Sequence, residues 1–420
     1  MDIASALVSR SARRRCFGVA WLGLAMLVAA CQSSDITACD PNGCISETAF
    51  RNTIVNAVKG QVVGYVVTVG GVDSSFGGLA RTKADPPTST IPSLAMLPTE
   101  DINIASVSKT LTAIGVLQSL AKNQILINSP ISKYIYSDWV QGPYISTITF
   151  DDLLTHRSGF PGDNSGVCGG DDTMYGVLKN IIRNGVSKTH ETDAPNYSNC
   201  NFAMFRELLF IMETKSQLAD GPARAAASAK FYVDYMNQHV FAPVGVQTVA
   251  CKPNTDLLFA ALTYPFPPGN HPGWNGAQSN TPTGDWTLSC GGGGWNVSAG
   301  DLTLVMNDIA GGNLLLTKAE KALMSSPAMH FPGWDNAVRS DCPSPWALCK
   351  NGSVSSQNGD PVATLWTYLG VFKCNVPVVV VVNSNLNEDI IDIVANAYDG
   401  LPQSGPPKAC PAGSLITGGG

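Results

Sequence analysis

Charged residues are scarce in this chain: they make up 14% of it, against 44% hydrophobic. That balance excludes an intrinsically disordered protein, which lacks the apolar surface to form a core. Positive charge is scarcer still. The net charge is −6, and residues 1–30 carry four arginines and one aspartate, leaving −9 for the remainder. Such a chain has no electrostatic pull on nucleic acid or anionic lipid, and neither is expected as a partner. Histidine occurs only five times, with no H-E-x-x-H and no cluster with cysteine, so no metal site and no cofactor are expected. There is no C-x-x-C pair, no internal repeat and no heptad array. The longest apolar run, residues 17–30, is short of the roughly 20 residues a membrane-spanning helix needs.

That run follows Arg10, Arg13, Arg14 and Arg15, so residues 1–30 read as a signal peptide with a basic region and an apolar region. Arg14-Arg15-Cys16-Phe17 partly matches a twin-arginine signal. The run ends in Leu27-Val28-Ala29-Ala30-Cys31, which resembles a bacterial lipobox. Cys31 is then the expected lipidation site and first mature residue, with cleavage near Ala30 by an ordinary signal peptidase as the alternative. Residues 31–44 are the expected tether. The expected location is the cell envelope, with the lipid anchor as the only membrane contact. Gln32 carries no aspartate retention signal, which in a Gram-negative host points to the outer membrane.

Beyond Cys16 and Cys31, ten cysteines remain: Cys39, Cys44, Cys168, Cys200, Cys251, Cys290, Cys342, Cys349, Cys374 and Cys410. An even number in an exported chain points to disulfides. The sequence alone does not fix their pairing. The sequential set is expected, because neighbours in sequence close short loops.

Apolar spacing over residues 45–58 predicts a helix, with Ile45, Phe50, Ile54 and Val58 on one stripe. Residues 61–69 predict a strand and 76–81 its returning partner. Four prolines mark 84–100 as loop. A helix is predicted from Ser106 to Lys122, with Leu111, Ile114, Leu117 and Leu120 as its buried stripe. Further helices are predicted near 174–184, 201–214 and 223–241. Strands return at 346–350, 365–372 and 378–383, then a helix over 387–398. Residues 401–420 form a Pro- and Gly-rich tail. Strands at both ends with helices between predict an α/β (α+β) domain over 45–400. Its antiparallel sheet is flanked by helices and built from both chain ends, with a helical insertion over about 105–335.

Three short motifs carry chemistry. Ser106-Val107-Ser108-Lys109 is S-x-x-K at a helix start. Residues three apart share a helix face, and the helix N-terminus favours negative charge on the serine oxygen. Tyr197-Ser198-Asn199 is Y-x-N, and Lys350-Asn351-Gly352 is K-x-G after an apolar strand. Alone, S-x-x-K is a weak signal; the three in this order are not. Three more stretches accompany them: Leu153-Leu154-Thr155-His156-Arg157-Ser158-Gly159, Ala242-Pro243-Val244-Gly245-Val246, and Gly293-Gly294-Trp295-Asn296-Val297-Ser298 with Asp301-Leu302. Together, over residues 45–400, the chain resembles the serine β-lactamase and D-Ala-D-Ala peptidase superfamily, closest to its class C and esterase-like branch.

The resemblance implies an acyl-serine enzyme. Ser106 is the implied nucleophile, with Lys109 and the Tyr197 phenolate, singly or together, taking its proton. Lys350 is implied to lower the pKa values of both and to attract a substrate carboxylate. Asn199 is implied to donate to a substrate amide. Asn351, Gly352 and Ser353 belong to the implied substrate strand, with the N–H groups of Ser106 and Ser353 as the oxyanion hole. K-N-G stands where K-T-G is usual, and the cysteine-bearing loops around 160–190 and 264–292 are long. The substrate class therefore stays open between a β-lactam, a D-Ala-D-Ala-type peptide of peptidoglycan and a small ester. A non-catalytic or penicillin-binding lipoprotein on the same fold is the rival reading. Oligomeric state is not legible.

Other residues have plainer readings. His156 sits before a tight Ser158-Gly159 turn, where a structural hydrogen-bonding role outweighs a triad. There is no G-x-S-x-G elbow, and the glycines at 291–294 are not followed by Lys-Ser/Thr. Trp274, Trp286 and Trp295 are either cleft-lining residues or local packing anchors.

Overall fold

The computed structural model describes residues 37–415 except 41–42, 72, 83–92, 169–173, 191–192, 216–217, 254–260, 266–284, 340, 343–346, 356–362, 402–409 and 411–413. Residues 1–36, with the signal, Cys31 and Gln32, lie outside the described residues, as does Trp274.

A ribbon of β1 (Thr37–Asp40) and β2 (Gly43–Ser46) leads into α1 (Glu47–Val58), β3 (Gly64–Val69), β4 (Asp73–Arg81), β5 (Leu94–Ala95) and β6 (Asp101–Asn103). The middle of the chain holds α2 (Ser108–Lys122), α3 (Phe150–Leu154), α4 (Met174–Asn184), α5 (Asn199–Thr214) and α6 (Pro222–Met236). It continues through β7 (Asn296–Ser298), α7 (Ala299–Gly311) and α8 (Lys318–Met324). The end supplies β8 (Ala347–Ser355), β9 (Thr364–Phe372), β10 (Val376–Val382) and α9 (Ile390–Asp399).

Six strands form one antiparallel sheet in the order β5-β4-β3-β10-β9-β8. Its centre joins the two chain ends: Val380 of β10 pairs with Val67 of β3. Both central strands are valine-rich because the sheet is covered on both faces. Side chains alternate between the faces with the period-2 geometry of a strand. Val67, Val69, Val378 and Val380 pack with Phe50 and Ile54 of α1 and Ile391 and Val394 of α9. Val66, Val379 and Val381 face the larger core built on α2, α5 and α7.

Caps explain where helices begin. The Ser46 hydroxyl accepts from the Ala49 N–H at 3.0 Å and starts α1. Asp389 accepts from the Ile391 N–H at 2.9 Å. The last helix therefore starts at Ile390 rather than at 387. Ser298 accepts from the Asp301 N–H and starts α7, at the serine of the predicted S…D-L start. The predicted 223–241 helix is α-helical only to Met236; a π-turn covers Asn237–Phe241 and a 3-10 turn Ala242–Val244, ending at Gly245 with φ 87°. A larger difference concerns α2. A single buried stripe was expected, yet Ser108, Lys109, Thr110 and Thr112 are buried beside Leu111, Ile114, Leu117 and Leu120. The helix runs between sheet and helical layer and has no solvent face over most of its length.

Cysteines pair as Cys168–Cys200, Cys251–Cys290, Cys342–Cys349 and Cys374–Cys410. Four members of the sequential set are therefore present. Cys39 and Cys44 are register partners across β1 and β2. No helix among the described residues is long and apolar enough to cross a membrane.

Candidate active site

Ser106 lies in a 3-10 turn, Ala105–Val107, that enters α2. The turn is held open by Ala105, whose φ is 49° and whose N–H donates to Asn103 Oδ1 at 2.7 Å. A non-glycine residue at positive φ is a local strain that the surroundings must impose. Here β6, paired with β7, brings Asn103 to the turn.

One helical step on, Lys109 is fully buried. Its Nζ lies 3.0 Å from Ser106 Oγ and 2.5 Å from Asn199 Oδ1, and it also donates to the Gly292 carbonyl. Two of these partners are carbonyl-type oxygens that can only accept. In its neutral form the amine has two N–H groups for these acceptors and a lone pair for the Ser106 hydroxyl. Burial, and then the charge of Lys350, hold the Lys109 pKa well below the usual lysine range.

Asn199, the first residue of α5, is held through its amide and its backbone. Its Nδ2 donates to Asp163 Oδ2 at 2.8 Å and its N–H to Asp163 Oδ1 at 2.7 Å. Asp163 thereby fixes the amide with its oxygen toward Lys109. To the expected donation to a substrate amide the structure adds the positioning of Lys109.

Tyr197 sits between the two lysines, with Lys109 Nζ 4.8 Å and Lys350 Nζ 5.1 Å from its ring centroid. Its pKa was expected to fall. Burial and then the Asp335 charge push it well up instead, and a hydrogen bond to Ser106 opposes them only in part. The phenol therefore stays protonated at neutral pH. His156 stacks on the Tyr197 ring at 4.3 Å, and its Nδ1 accepts from the Ser198 N–H at 3.1 Å. That structural role matches the sequence reading. Burial, and then the Lys109 and Lys350 charges, hold its pKa well below the usual histidine range.

The third motif brings the largest correction. Lys350 was expected to meet a substrate carboxylate. It is buried, and its Nζ is ion-paired with the equally buried Asp335. The Asn351 N–H donates to Asp335 Oδ2 at 3.0 Å. With its amide oriented by its neighbours, Asn351 also donates Nδ2 to Asp335 and accepts from Arg339 Nη1 at 3.1 Å. Gly352 and Ser353 follow on the edge strand β8, where Gly352 touches the Ser106 backbone.

A cavity of 490 Å³ opens on this group. Ser106, Tyr197, Asn199, Asn351, Gly352 and Ser353 line it, so six of the eight residues named for the site from sequence are on its wall. Lys109 and Lys350 lie behind that wall. Sequence reasoning missed Asp163, Asp335, Arg339, Trp366 and Asp389, which complete the lining with Val338. For Asp163 a signal existed, its place just after the Ser158-Gly159 turn; the others stand in no recognisable motif. Arg339 is held by Asp341 at 2.8 Å through Nε and by Asp389 at 3.0 Å through Nη2. Of the candidate tryptophans, Trp295 is core, against Tyr232 and Phe241, and Trp286 lies over Gly293 and Gly294.

A serine and a tyrosine on one cavity wall, with a buried lysine behind them, meet beside the edge strand of an antiparallel sheet. Residues 95–393 match the Beta-lactamase family model, and the chain belongs to that family. Among solved structures it is similar to an octameric penicillin-binding protein homologue from Pyrococcus abyssi, with TM-score 0.58 and 14% identity over 84% of this chain and 75% of that one. It is similar to a class C beta lactamase from Rhodobacter sphaeroides, with TM-score 0.53 and 17% identity over 84% and 97%. It is also similar to a D-amino acid amidase from Ochrobactrum anthropi SV3, with TM-score 0.55 and 17% identity over 84% and 95%. No curated protein sequence matches the chain.

Proposed function

We propose that this protein is a hydrolase acting through an acyl-serine intermediate at Ser106, on a β-lactam, a D-Ala-D-Ala-type peptide or a small ester. The observation that carries the reading is Lys109 Nζ, held by two carbonyl-type acceptors with its third position at Ser106 Oγ. In this reading neutral Lys109 takes the serine proton as Oγ bonds to the substrate carbonyl carbon. The proton passes by way of the protonated Tyr197 hydroxyl to the leaving group as its bond breaks. The N–H groups of Ser106 and Ser353 hold the oxyanion. Water then enters by the reverse path, frees the acid and restores the serine. Asn199 and Asp163 position the lysine, and Lys350 keeps its pKa down.

The test is covalent labelling with a fluorophosphonate, followed by peptide mass spectrometry. The adduct is expected on Ser106, and Ser106→Ala is expected to abolish labelling and turnover while keeping the fold. An adduct on Ser108 or Ser158 would overturn the assignment.

The lipobox-like segment supports a second reading, that the chain is exported and anchored by lipid on Cys31. Intact mass of the mature protein is expected to show a diacylglyceryl-modified Cys31, lost in Cys31→Ser. An unmodified N-terminus beyond residue 31 would exclude the anchor.

A further inference from the structure

We propose that the cavity selects acyl compounds with no carboxylate near the scissile bond, and that Asp335 sets this selectivity by occupying Lys350. The inference deepens the acyl-serine reading and rests on it.

Each cation that borders the cavity already faces an acid or is held by fixed acceptors. Lys350 and Asp335 are both 1% exposed and bonded to each other. Arg339 is engaged by Asp341 and Asp389. Lys109 has its two N–H groups on Asn199 and Gly292. A substrate carboxylate would meet a Lys350 whose charge Asp335 already balances. Asp335 cannot leave cheaply, because the main chain and side chain of Asn351 also bond to it and a carboxylate stripped of partners inside a protein is strongly destabilised. The hydroxyl that a threonine would supply is also missing: Asn351 stands there with its amide committed to Asp335 and Arg339.

The cavity wall has the opposite sign. Asp163, Asp335 and Asp389 line it with Arg339; Lys350 and Arg339 balance two of the three, which leaves one carboxylate in excess. An incoming anion meets like charge at short range, where repulsion is least screened. A neutral group does not, and Val338 and Trp366 offer it apolar surface. A cation is attracted. The site thus excludes one class of substrate by charge, as specificity by repulsion requires.

The test uses thioesters of N-benzoylglycine with three leaving groups: thioglycolate (anionic), its neutral match thioglycolamide, and the bulkier thiocholine (cationic). The pair mono-p-nitrophenyl glutarate and p-nitrophenyl valerate makes the same contrast in the acyl part. For the wild-type protein, kcat/KM is expected to be about tenfold or more lower for each anionic member than for its neutral match, a factor of ten being about 1.4 kcal/mol. Thiocholine is expected to react at least as well as the amide. Asp335→Asn keeps the shape and frees the Lys350 charge, and is expected to raise the anionic-to-neutral ratio about tenfold. If wild type takes the anionic members as well as the neutral ones, the inference is overturned while the acyl-serine reading survives. An unchanged ratio in a folded Asp335→Asn removes Asp335 as the determinant. Should that variant not fold, Asp163→Asn is the second probe. It removes a wall charge without bonding to Lys350 and is expected to raise the same ratio, and no change there overturns the repulsion argument. Failure of the fluorophosphonate to label Ser106 in wild type overturns both readings.

Discussion

Gly352 lies so close to Ser106 that a Cβ on it would come within 2.7 Å of the Ser106 nitrogen and 2.8 Å of the Ile104 carbonyl oxygen. Both are backbone atoms, so no side chain can swing aside. The glycine of K-x-G is therefore a spacing requirement: it lets β8 run against the turn that carries the nucleophile. That approach brings Ser353 to the cavity wall on the same side as Ser106.

Gly352→Ala is accordingly expected to push β8 and the Ser106 turn apart. Misplacement of about 1 Å at a reacting centre costs on the order of a hundredfold. We expect kcat/KM on p-nitrophenyl valerate to fall by about that factor in a protein that still folds by circular dichroism. Wild-type kinetics in this variant would mean that β8 does not build the site.

The acid limb of the kcat/KM profile should report Lys109, which acts as a base only when neutral. Lys350 lowers its pKa and Asp335 raises it. Removing the Lys350 charge in Lys350→Met should raise the Lys109 pKa, so the limb moves to higher pH. Asp335→Asn removes the opposing charge, so the limb moves to lower pH. Opposite shifts in a pH series from about 4 to 9, a window around ordinary histidine and carboxylate pKa values, are the signature. Shifts of the same sign would show that another group sets the limb.

Three cystines sit beside the residues around Lys109. Cys200 follows Asn199, Cys290 precedes Gly292 by two positions, and Cys349 precedes Lys350. Cross-links of this kind contribute roughly 2–4 kcal/mol each, and here they also anchor the partners of a buried amine. The paired change Cys168→Ala with Cys200→Ala is expected to lower both Tm and kcat/KM, because it frees the Asp163 segment that orients Asn199. A fall in Tm with unchanged kinetics would confine that cystine to stability.

His156 gives stability a pH dependence. Its pKa is lowered on folding, so the unfolded chain binds the proton first. The contribution is complete above the unfolded value of about 6.5 and is lost as pH falls below it toward the folded pKa. Denaturant midpoints should decline between about pH 6.5 and 5, and His156→Gln should flatten that decline. A slope unchanged by the substitution would assign it to other groups.

Several features were legible because they are local. The Ser106–Lys109 spacing puts both on one face of a helix, whatever the rest of the chain does. The stripe of α1 and the paired valine strands follow from periodicity. Charge was not legible. Lys350 reads as a free cation in the sequence, because Asp335 lies fifteen residues away in a segment with no motif. Tyr197 reads as an acidified phenol until its burial and the Asp335 charge are known. Nothing in the sequence ties Asn199 to Asp163, whose bond to its amide turns the amide oxygen toward Lys109. A side chain's type and local spacing are written in the chain itself. Its protonation state and free valences depend on desolvation and on partners from distant segments, which only the folded arrangement decides.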